Sequence, residues 1–153
     1  MNYRPILIVA GEPNSIFLEI FFKSIINNSF KSPLILIVSK DLLIKQMKSL
    51  GFDFKINLIN ENYPNMSKLD NKKINIINVN YNFKKSFEKI SQKSNNYIAQ
   101  CFKLALKIIK KNRYLKLING PIVKKSFLNE KFLGITEYLA QKTKKKNKVV
   151  MLI

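Results

Sequence analysis

Short apolar segments recur along the chain and are separated by amphipathic or polar stretches. Apolar segments of this length, bounded by glycine, proline or asparagine, are typical of strands that a parallel sheet buries on both faces. The pattern predicts strands at Pro5–Ala10, Pro33–Val38, Phe54–Ile59, Ile74–Val79, Leu115–Ile118 and Val149–Ile153. A polar loop over residues 60–73 separates the third of these strands from the fourth.

Helical patterns fill most of the intervals between the predicted strands. Ser15–Asn27 is rich in large apolar residues. Lys40–Leu50 follows Ser39, a typical N-cap, and precedes Gly51, a typical C-terminal residue. The clearest helix is Tyr97–Lys111, because apolar residues recur on one face and lysines on the other.

Two shorter helices are predicted towards the end of the sequence. Ile122–Leu128 is the first, with Pro121 at or near its first turn. Glu137–Lys142 is the second, and the hydroxyl of Thr136 can cap it. The alternation of strands and helices predicts an α/β fold with layers around a mostly parallel sheet. No internal domain boundary is predicted within residues 1–153.

The composition is that of a folded protein without a membrane segment. Hydrophobic residues make up 46% of the sequence, which is enough to form a core. The longest apolar runs, such as Ile6–Ala10, are too short to cross a bilayer, and the N-terminus lacks the pattern of a signal peptide. The single cysteine, Cys101, cannot form an intramolecular disulfide. We therefore expect a cytoplasmic protein with no membrane partner.

The formal net charge of +19 comes from 28 basic and 9 acidic residues. A charge of this size is compatible with a nucleic-acid partner or an anionic ligand. Only Arg4 and Arg113, however, could form bidentate contacts with guanine or phosphate, and the lysines are spread from Lys23 to Lys148. This distribution favours a solvated lysine surface, with an anionic ligand or a nucleic-acid-binding module as the alternatives.

The sequence contains no histidine, which excludes several kinds of catalytic centre from this chain. A Ser-His-Asp triad, a Cys-His pair and a histidine-based metal site all need that residue, and a single cysteine excludes a zinc ribbon. Cys101 lies among apolar residues at helical spacing, which indicates a buried small hydrophobic residue. No catalytic residue and no metal ligand are assigned from the sequence.

The first candidate ligand-binding loop is Val9–Ile16, which follows the first predicted strand. Ligands of open α/β sheets bind beyond the carboxyl ends of the strands. Gly11 lets the backbone pass close to a ligand, and Glu12 could orient a polar group. The loop is not a G-x-G-x-x-G fingerprint, so it predicts no dinucleotide site, and a simple turn is the alternative.

Two further loops carry candidate anion-binding residues. In Asn119–Lys125, which also follows a strand, Lys124 could reach an anion at the start of a helix. In Phe132–Ala140, Thr136 offers a hydroxyl beside free helix amides, which is a natural phosphate site. A solvated lysine and an ordinary N-cap are the alternatives.

Together, the three loops resemble the motifs of the 4-hydroxythreonine-4-phosphate dehydrogenase family. Gly11–Ile20 is similar to the family's G-D/E-P-x-x-I-x-x-E-I turn, Asn119–Lys125 to its T-x-P-I-x-K segment, and Gly134–Ala140 to its G-H-T-E-x-L-A box. The motifs stand in the family's order across essentially all 153 residues. The resemblance implies an isocitrate/isopropylmalate dehydrogenase-like fold, of which this chain is an incomplete, N-terminal portion.

The resemblance also implies an activity. It is NAD-dependent oxidation of 4-phosphooxy-L-threonine, followed by decarboxylation, in the synthesis of pyridoxal phosphate (vitamin B6). The implied cofactors are NAD and a divalent metal (zinc, magnesium or cobalt), and the implied assembly is a homodimer. The family's metal-binding histidines lie beyond the matched part, so we expect a fragment that is inactive alone. A related dehydrogenase of phosphorylated threonate or erythronate is the alternative.

The resemblance assigns substrate binding to Glu12, Lys124, Ile135 and Thr136. Thr136 matches the threonine of the family's substrate-binding box, and Glu12 stands where the family usually has aspartate. Ile135 stands where the box usually has histidine, which is the main departure. Isoleucine can neither donate to a phosphate nor take a proton. Either Thr136 and Lys124 supply the contact, or the chemistry has changed.

Overall fold

The structure of the protein is a computed structural model that describes residues 3–60, 69, 71–111, 116–128 and 131–145. A 3-10 turn, Gln92–Ser94, leads directly into the longest helix. The predicted strand Val149–Ile153 lies outside the described residues. In chain order the elements are β1 (Ile6–Val9), α1 (Phe17–Asn27), β2 (Leu34–Val38), α2 (Lys40–Ser49), β3 (Ile56–Leu58), β4 (Ile74–Asn78), α3 (Asn95–Lys111), β5 (Lys116–Asn119), α4 (Lys124–Phe127) and α5 (Ile135–Lys142).

The described strands form one sheet in the order β3-β4-β2-β1-β5. Every neighbouring pair is parallel. Ile8 of β1, for example, is in register with Leu36 of β2 on one side and with Ile118 of β5 on the other. The α/β fold with a parallel sheet that the sequence predicts is therefore confirmed. Because all strands run the same way, their carboxyl ends share one edge of the sheet.

Helices cover both faces of the sheet. Side chains at alternate positions of β1, β2 and β4 form one core with the apolar faces of α1 and α2. The other face of β1 and β2 packs against α3, which buries Ile98, Cys101, Phe102 and Ala105. Strands covered on both sides need apolar residues at every position. This explains why all of Leu34–Val38 is buried.

Phe22, a residue of α1, is part of the core between that helix and the sheet and is fully buried. Its ring contacts that of Phe52 at a centroid distance of 5.2 Å and that of Phe54 at 5.7 Å. Phe52 and Phe54 precede β3, so this cluster attaches the edge of the sheet to α1. Burial of such large side chains is the main source of stability for a fold of this kind.

The predicted caps of α2 are confirmed. Ser39 is the N-cap, and its hydroxyl accepts a hydrogen bond from the backbone N–H of Leu42 at 3.4 Å. Gly51 follows the helix with φ of +75°, a left-handed conformation that costs glycine least.

The bounds predicted for α4 were wrong, and so was the cap predicted for α5. In the predicted segment Ile122–Leu128, only Lys124–Phe127 is helical. Val123, with φ −85° and ψ 97°, is extended and is the N-cap of α4. Pro121 therefore lies before the helix and not in its first turn. In the second, Gly134 is the N-cap and its carbonyl accepts from the backbone N–H of Tyr138 at 3.3 Å. Thr136 thus lies inside the first turn and does not cap it.

The chain divides into two compact units after Pro121. The first contains the sheet and α1 to α3, and the second contains α4 and α5. That residues 1–153 form a single domain stays a prediction. None of the helices that the structure describes is both long and apolar enough to cross a membrane.

Candidate functional site at the carboxyl edge of the sheet

The loops that leave β1 and β5 are joined by backbone hydrogen bonds. The N–H of Glu12 donates to the carbonyl of Pro121 at 2.8 Å, and the N–H of Gly120 donates to the carbonyl of Val9 at 2.7 Å. Both bonds lie just beyond the ends of the two parallel strands. In open α/β sheets this is where ligands bind. The first and second predicted loops therefore meet at the expected edge.

Two glycines allow this close approach. A Cβ at Gly120 would lie 2.1 Å from the carbonyl oxygen of Ala10, and one at Gly11 would lie 2.3 Å from that of Pro121. Gly11 also has φ of +79°, which side chains rarely tolerate. Each loop thus passes directly over the backbone of the other, so the shape of this edge depends on both glycines.

Glu12 is buried and its carboxylate faces donors from the chain itself. The backbone N–H of Asn14 donates to Oε1 at 3.2 Å, and the hydroxyl of Ser94 donates to Oε2 at 2.6 Å. The main chain of Glu12 is also engaged, since its carbonyl accepts from the N–H of Ser15 at 3.1 Å and from the Ser15 hydroxyl at 2.7 Å. These contacts fix the loop Gly11–Ser15 tightly.

The segment 81–94, which follows β4, lies against the same loop. The N–H of Glu88 donates to Oδ1 of Asn14 at 3.0 Å. The carboxylate of Glu88 in turn accepts from the N–H groups of Lys84 at 2.6 Å and Lys85 at 3.3 Å. The bond from the Lys84 backbone is the main reason that the pKa of Glu88 is lowered. The Glu88 carboxylate thus holds the segment 81–94 together, and the Glu88 backbone attaches the segment to Asn14.

The side chain of Gln46, in α2, connects the loop Gly11–Ser15 with the segment 81–94. Its side-chain amide is fully buried and donates to the carbonyl of Pro13 at 2.8 Å and to that of Ser86 at 2.7 Å. Its own carbonyl oxygen is buried and accepts no hydrogen bond from the described residues. A buried acceptor without a donor costs about 1–3 kcal/mol. The amide therefore holds two loops together at an energetic cost.

The prediction that Cys101 is a buried small hydrophobic residue is confirmed. The side chain is fully buried in α3, and burial raises the pKa of its thiol from the ordinary 9.0 to about 12. Burial likewise raises the pKa of the neighbouring Tyr97 well above 10.0. The Tyr97 hydroxyl accepts a hydrogen bond from the N–H of Ser39 at 3.0 Å, which ties α3 to the start of α2. A thiol of such a high pKa is not a reactive nucleophile.

The other predicted site residues lie in the second unit. Lys124 is exposed and begins the single turn of α4. Ile135 and Thr136 are half-buried and are the first two residues of α5. The carboxylate of Glu137 folds back towards the N-cap, with Oε2 3.1 Å from the position of a Cβ on Gly134. Thr136 therefore lies in the first turn of α5, beside backbone amides that have no partner within the helix. Its role in substrate binding stays a prediction.

The sequence did not indicate the residues that hold the first loop in place. Asn14, Gln46 and Ser94 are 32 or more positions apart along the chain, and no local pattern connects them. The one available signal is that Gln46 occupies an inward-facing position of an amphipathic helix, where an apolar residue is expected.

The described residues do not form a metal site by themselves. Among them, no group of three or more aspartate, glutamate, cysteine or histidine side chains comes together. Glu12, the one buried carboxylate of the first loop, is held by Asn14 and Ser94 instead. No step of the chemistry is therefore assigned to a metal held by these residues.

A cavity of about 510 Å³ lies at the opposite, amino edge of the sheet. It is lined by Phe21, Ile25, Phe30 and Leu34 together with Asn71. Asn71 accepts from the N–H of Leu34 and donates to the carbonyl of Phe30, so it serves to fix this turn. None of the predicted site residues lines the cavity.

The fold is similar to that of several solved structures of dehydrogenases. One is a 4-hydroxythreonine-4-phosphate dehydrogenase from Burkholderia phymatum, with a TM-score of 0.73 and 18% identity, covering 93% of this chain and 44% of that one. Another is a 4-hydroxythreonine-4-phosphate dehydrogenase from Klebsiella pneumoniae, with a TM-score of 0.76 and 16% identity, covering 94% of this chain and 45% of that one. At such identities the likeness establishes the fold alone. The chain spans less than half the length of these proteins.

Sequence similarity gives the family. The family described as pyridoxal phosphate biosynthetic protein PdxA matches residues 29–153. This chain therefore belongs to the PdxA family, as its motifs predicted. No curated protein matches the chain.

Proposed function

We propose that the protein takes part in the NAD-dependent oxidation of 4-phosphooxy-L-threonine to 2-amino-3-oxo-4-phosphooxybutanoate. The observation that carries the proposal is the PdxA family match over residues 29–153. In this reaction the carbon that bears the secondary hydroxyl loses hydride to the nicotinamide ring of NAD, and the hydroxyl loses a proton. The β-keto acid then loses carbon dioxide to give 3-amino-2-oxopropyl phosphate, which leads to pyridoxal phosphate.

The role proposed for this chain is to bind and orient the phosphorylated substrate. Thr136 would contact the phosphate, because its hydroxyl stands beside free amides in the first turn of α5. Lys124 would contribute a positive charge from an exposed position. Glu12 would shape the loop that passes over Pro121. Residues that contact NAD are not assigned.

We further propose that the 153 residues do not turn over alone. The resemblance implies that the metal ligands of the family are histidines, and this chain contains none. The test is an assay of NAD reduction by the purified protein with 4-phosphooxy-L-threonine and zinc or magnesium. Turnover at ordinary enzymatic rates would contradict inactivity of this chain. A homodimer and a cytoplasmic location also stay proposals, and sedimentation of the purified protein tests the first.

Substrate binding can be tested without turnover. Titration calorimetry with 4-phosphooxy-L-threonine would compare the wild-type protein with Thr136→Ala and Lys124→Gln. We expect each change to weaken binding about tenfold or more, because each removes a contact to a charged phosphate. Lys125→Gln is the matched control, since Lys125 is an exposed neighbour of Lys124 on the same turn. Equal affinities in all variants would contradict the assigned contacts.

A substitution at Ile135 tests the same contact by strengthening substrate binding instead of weakening it. Ile135→His restores the residue that the family's substrate box usually has and adds a donor at the first residue of α5. We expect tighter binding of the phosphorylated substrate. Ile135→Val is the control, because it changes the volume and adds no donor. An unchanged affinity of Ile135→His would show that residue 135 does not face the phosphate.

The second candidate is a related dehydrogenase of phosphorylated threonate or erythronate. Only a comparison of substrates separates it from the first candidate. Binding of 4-phosphoerythronate in preference to 4-phosphooxy-L-threonine would favour this candidate. The amino group, which erythronate lacks, distinguishes the two ligands.

A further inference from the structure

Glu12 and Ser94 form a buried contact between distant parts of the chain. They are 82 positions apart, and the two residues are 3% and 1% exposed. The Ser94 hydroxyl lies 2.6 Å from Oε2 of Glu12. This is the short distance typical of a hydroxyl that donates to a carboxylate, which is roughly twice as strong as a bond between neutral groups.

The position of Ser94 is set by α3. Ser94 is the last residue of the 3-10 turn that continues without a break into that helix. Tyr97 and Ile98, one turn later, are buried against the sheet. The Ser94 hydroxyl also approaches the carbonyl of Ser91 at 3.0 Å. Because α3 is packed against the sheet, the Ser94 hydroxyl is held in a fixed position beside Glu12.

The position of the Gly11–Ser15 loop depends in turn on Glu12. The backbone of Glu12 donates to Pro121 and accepts from Ser15, so its side chain and its main chain both hold the loop. A displaced carboxylate would move the peptide that lies over Gly120, where the two loops are already in close contact.

We propose that Ser94 is a positioning residue, which holds the Glu12 carboxylate and thereby sets the loop Gly11–Ser15 against the end of β5. This inference rests on the proposed function, because it assigns the loop to the ligand-binding edge of the enzyme. In this proposal Ser94 acts through Glu12, and no contact with substrate or cofactor is assigned to it.

The primary test measures amide hydrogen exchange in the wild-type protein, Ser94→Ala and Ser94→Thr. In Ser94→Ala the amides of Glu12 and Ser15 should exchange about ten- to hundredfold faster, as expected for the loss of a bond to a charged group. Amides of the central strand β2 should keep their protection. Ser94→Thr retains the hydroxyl and should restore most of the protection in the loop.

Ser91→Ala is the matched control. It removes an exposed hydroxyl from the same turn and leaves the Ser91 carbonyl in place, so loop exchange should stay within about threefold of wild type. Equal acceleration in the loop and in β2 of Ser94→Ala would overturn the proposal, because it would indicate a general loss of stability. Failure of threonine to restore protection would also overturn it.

Substrate binding supplies a second readout. Ser94→Ala should weaken binding of 4-phosphooxy-L-threonine, and Ser94→Thr should recover it, although neither residue touches the ligand. If the wild-type protein itself does not bind this substrate, the proposed function fails. The exchange measurement still decides whether Ser94 positions the loop.

Discussion

Gly120 lies so close to Ala10 that a methyl group on the glycine would be 2.1 Å from the Ala10 carbonyl oxygen. The contact joins the ends of two neighbouring parallel strands, β1 and β5. The obstructing atom belongs to the backbone and cannot move aside as the end of a side chain could. This approach therefore sets the spacing between the two loops where they leave β1 and β5.

Gly120→Ala should destabilise the protein by about 3 kcal/mol or more, at the upper end of the range for overpacking, because backbone must shift. Gly51→Ala is the comparison. Gly51 has a left-handed backbone, but a Cβ there meets no atom within 4 Å, so we expect a cost of about 1 kcal/mol. Urea unfolding of both variants measures the difference. A smaller loss for Gly120→Ala than for Gly51→Ala would contradict the close approach.

Phe22→Ala should destabilise the protein by about 3–5 kcal/mol, because it leaves a cavity beside the rings of Phe52 and Phe54. Ile20→Ala serves as the control on the same helix. Ile20 is 54% exposed, so the change should stay within about 0.5 kcal/mol. Thermal unfolding would measure both, and equal losses would show that α1 is packed differently.

Ser39→Ala should cost about 0.5–2 kcal/mol through the loss of the cap on α2. The backbone N–H of Ser39 would still donate to the Tyr97 hydroxyl, so the effect isolates the hydroxyl of residue 39. Ser29→Ala, in an exposed turn, is the matched control and should be neutral. Chemical denaturation with a midpoint unchanged in Ser39→Ala would count against the cap.

The Cys101 thiol should not react with Ellman's reagent at pH 8 until the protein unfolds, since its pKa in the folded state is about 12. The folded protein thus holds this proton more tightly than the unfolded chain, whose thiol has an ordinary pKa of 9.0. The contribution to stability is complete below pH 9 and is lost as the pH rises through 12.

Cys101→Ala removes the thiol's share of this dependence. Unfolding free energies measured from pH 8 to pH 11 should fall less steeply in the variant than in the wild type. Tyr97, whose pKa is also raised by burial, would leave a residual slope in both proteins. Rapid labelling of Cys101 in the native protein would contradict the burial of α3.

Sequence patterns predicted the buried elements well because burial dictates residue type. Leu34–Val38 is apolar at every position since helices cover both of its faces, and Ser39 and Gly51 are local signals that need no tertiary context. The short helices at the end were predicted less accurately. There the N-caps are Val123 and Gly134, whose backbones are extended. Each helix therefore begins two residues away from the start that the sequence predicted.

The candidate site was predictable only in part. Gly11 and Gly120 follow predicted strands, so parallel topology alone indicates that they share an edge. Ser94 and Gln46 could not be identified in this way, because their contacts join residues 82 and 33 or more positions apart. Such contacts are set by the path of the chain over the sheet, which periodicity does not encode.

Gln46 also gives this protein a specific thermodynamic weakness. Its buried carbonyl oxygen has no donor among the described residues, while its amide bridges Pro13 and Ser86. A residue of similar volume without that oxygen, as in Gln46→Met, would relieve the desolvation of one atom but would leave the carbonyls of Pro13 and Ser86 without their donor. The unsatisfied oxygen is therefore inseparable from the amide that bonds to both loops at once.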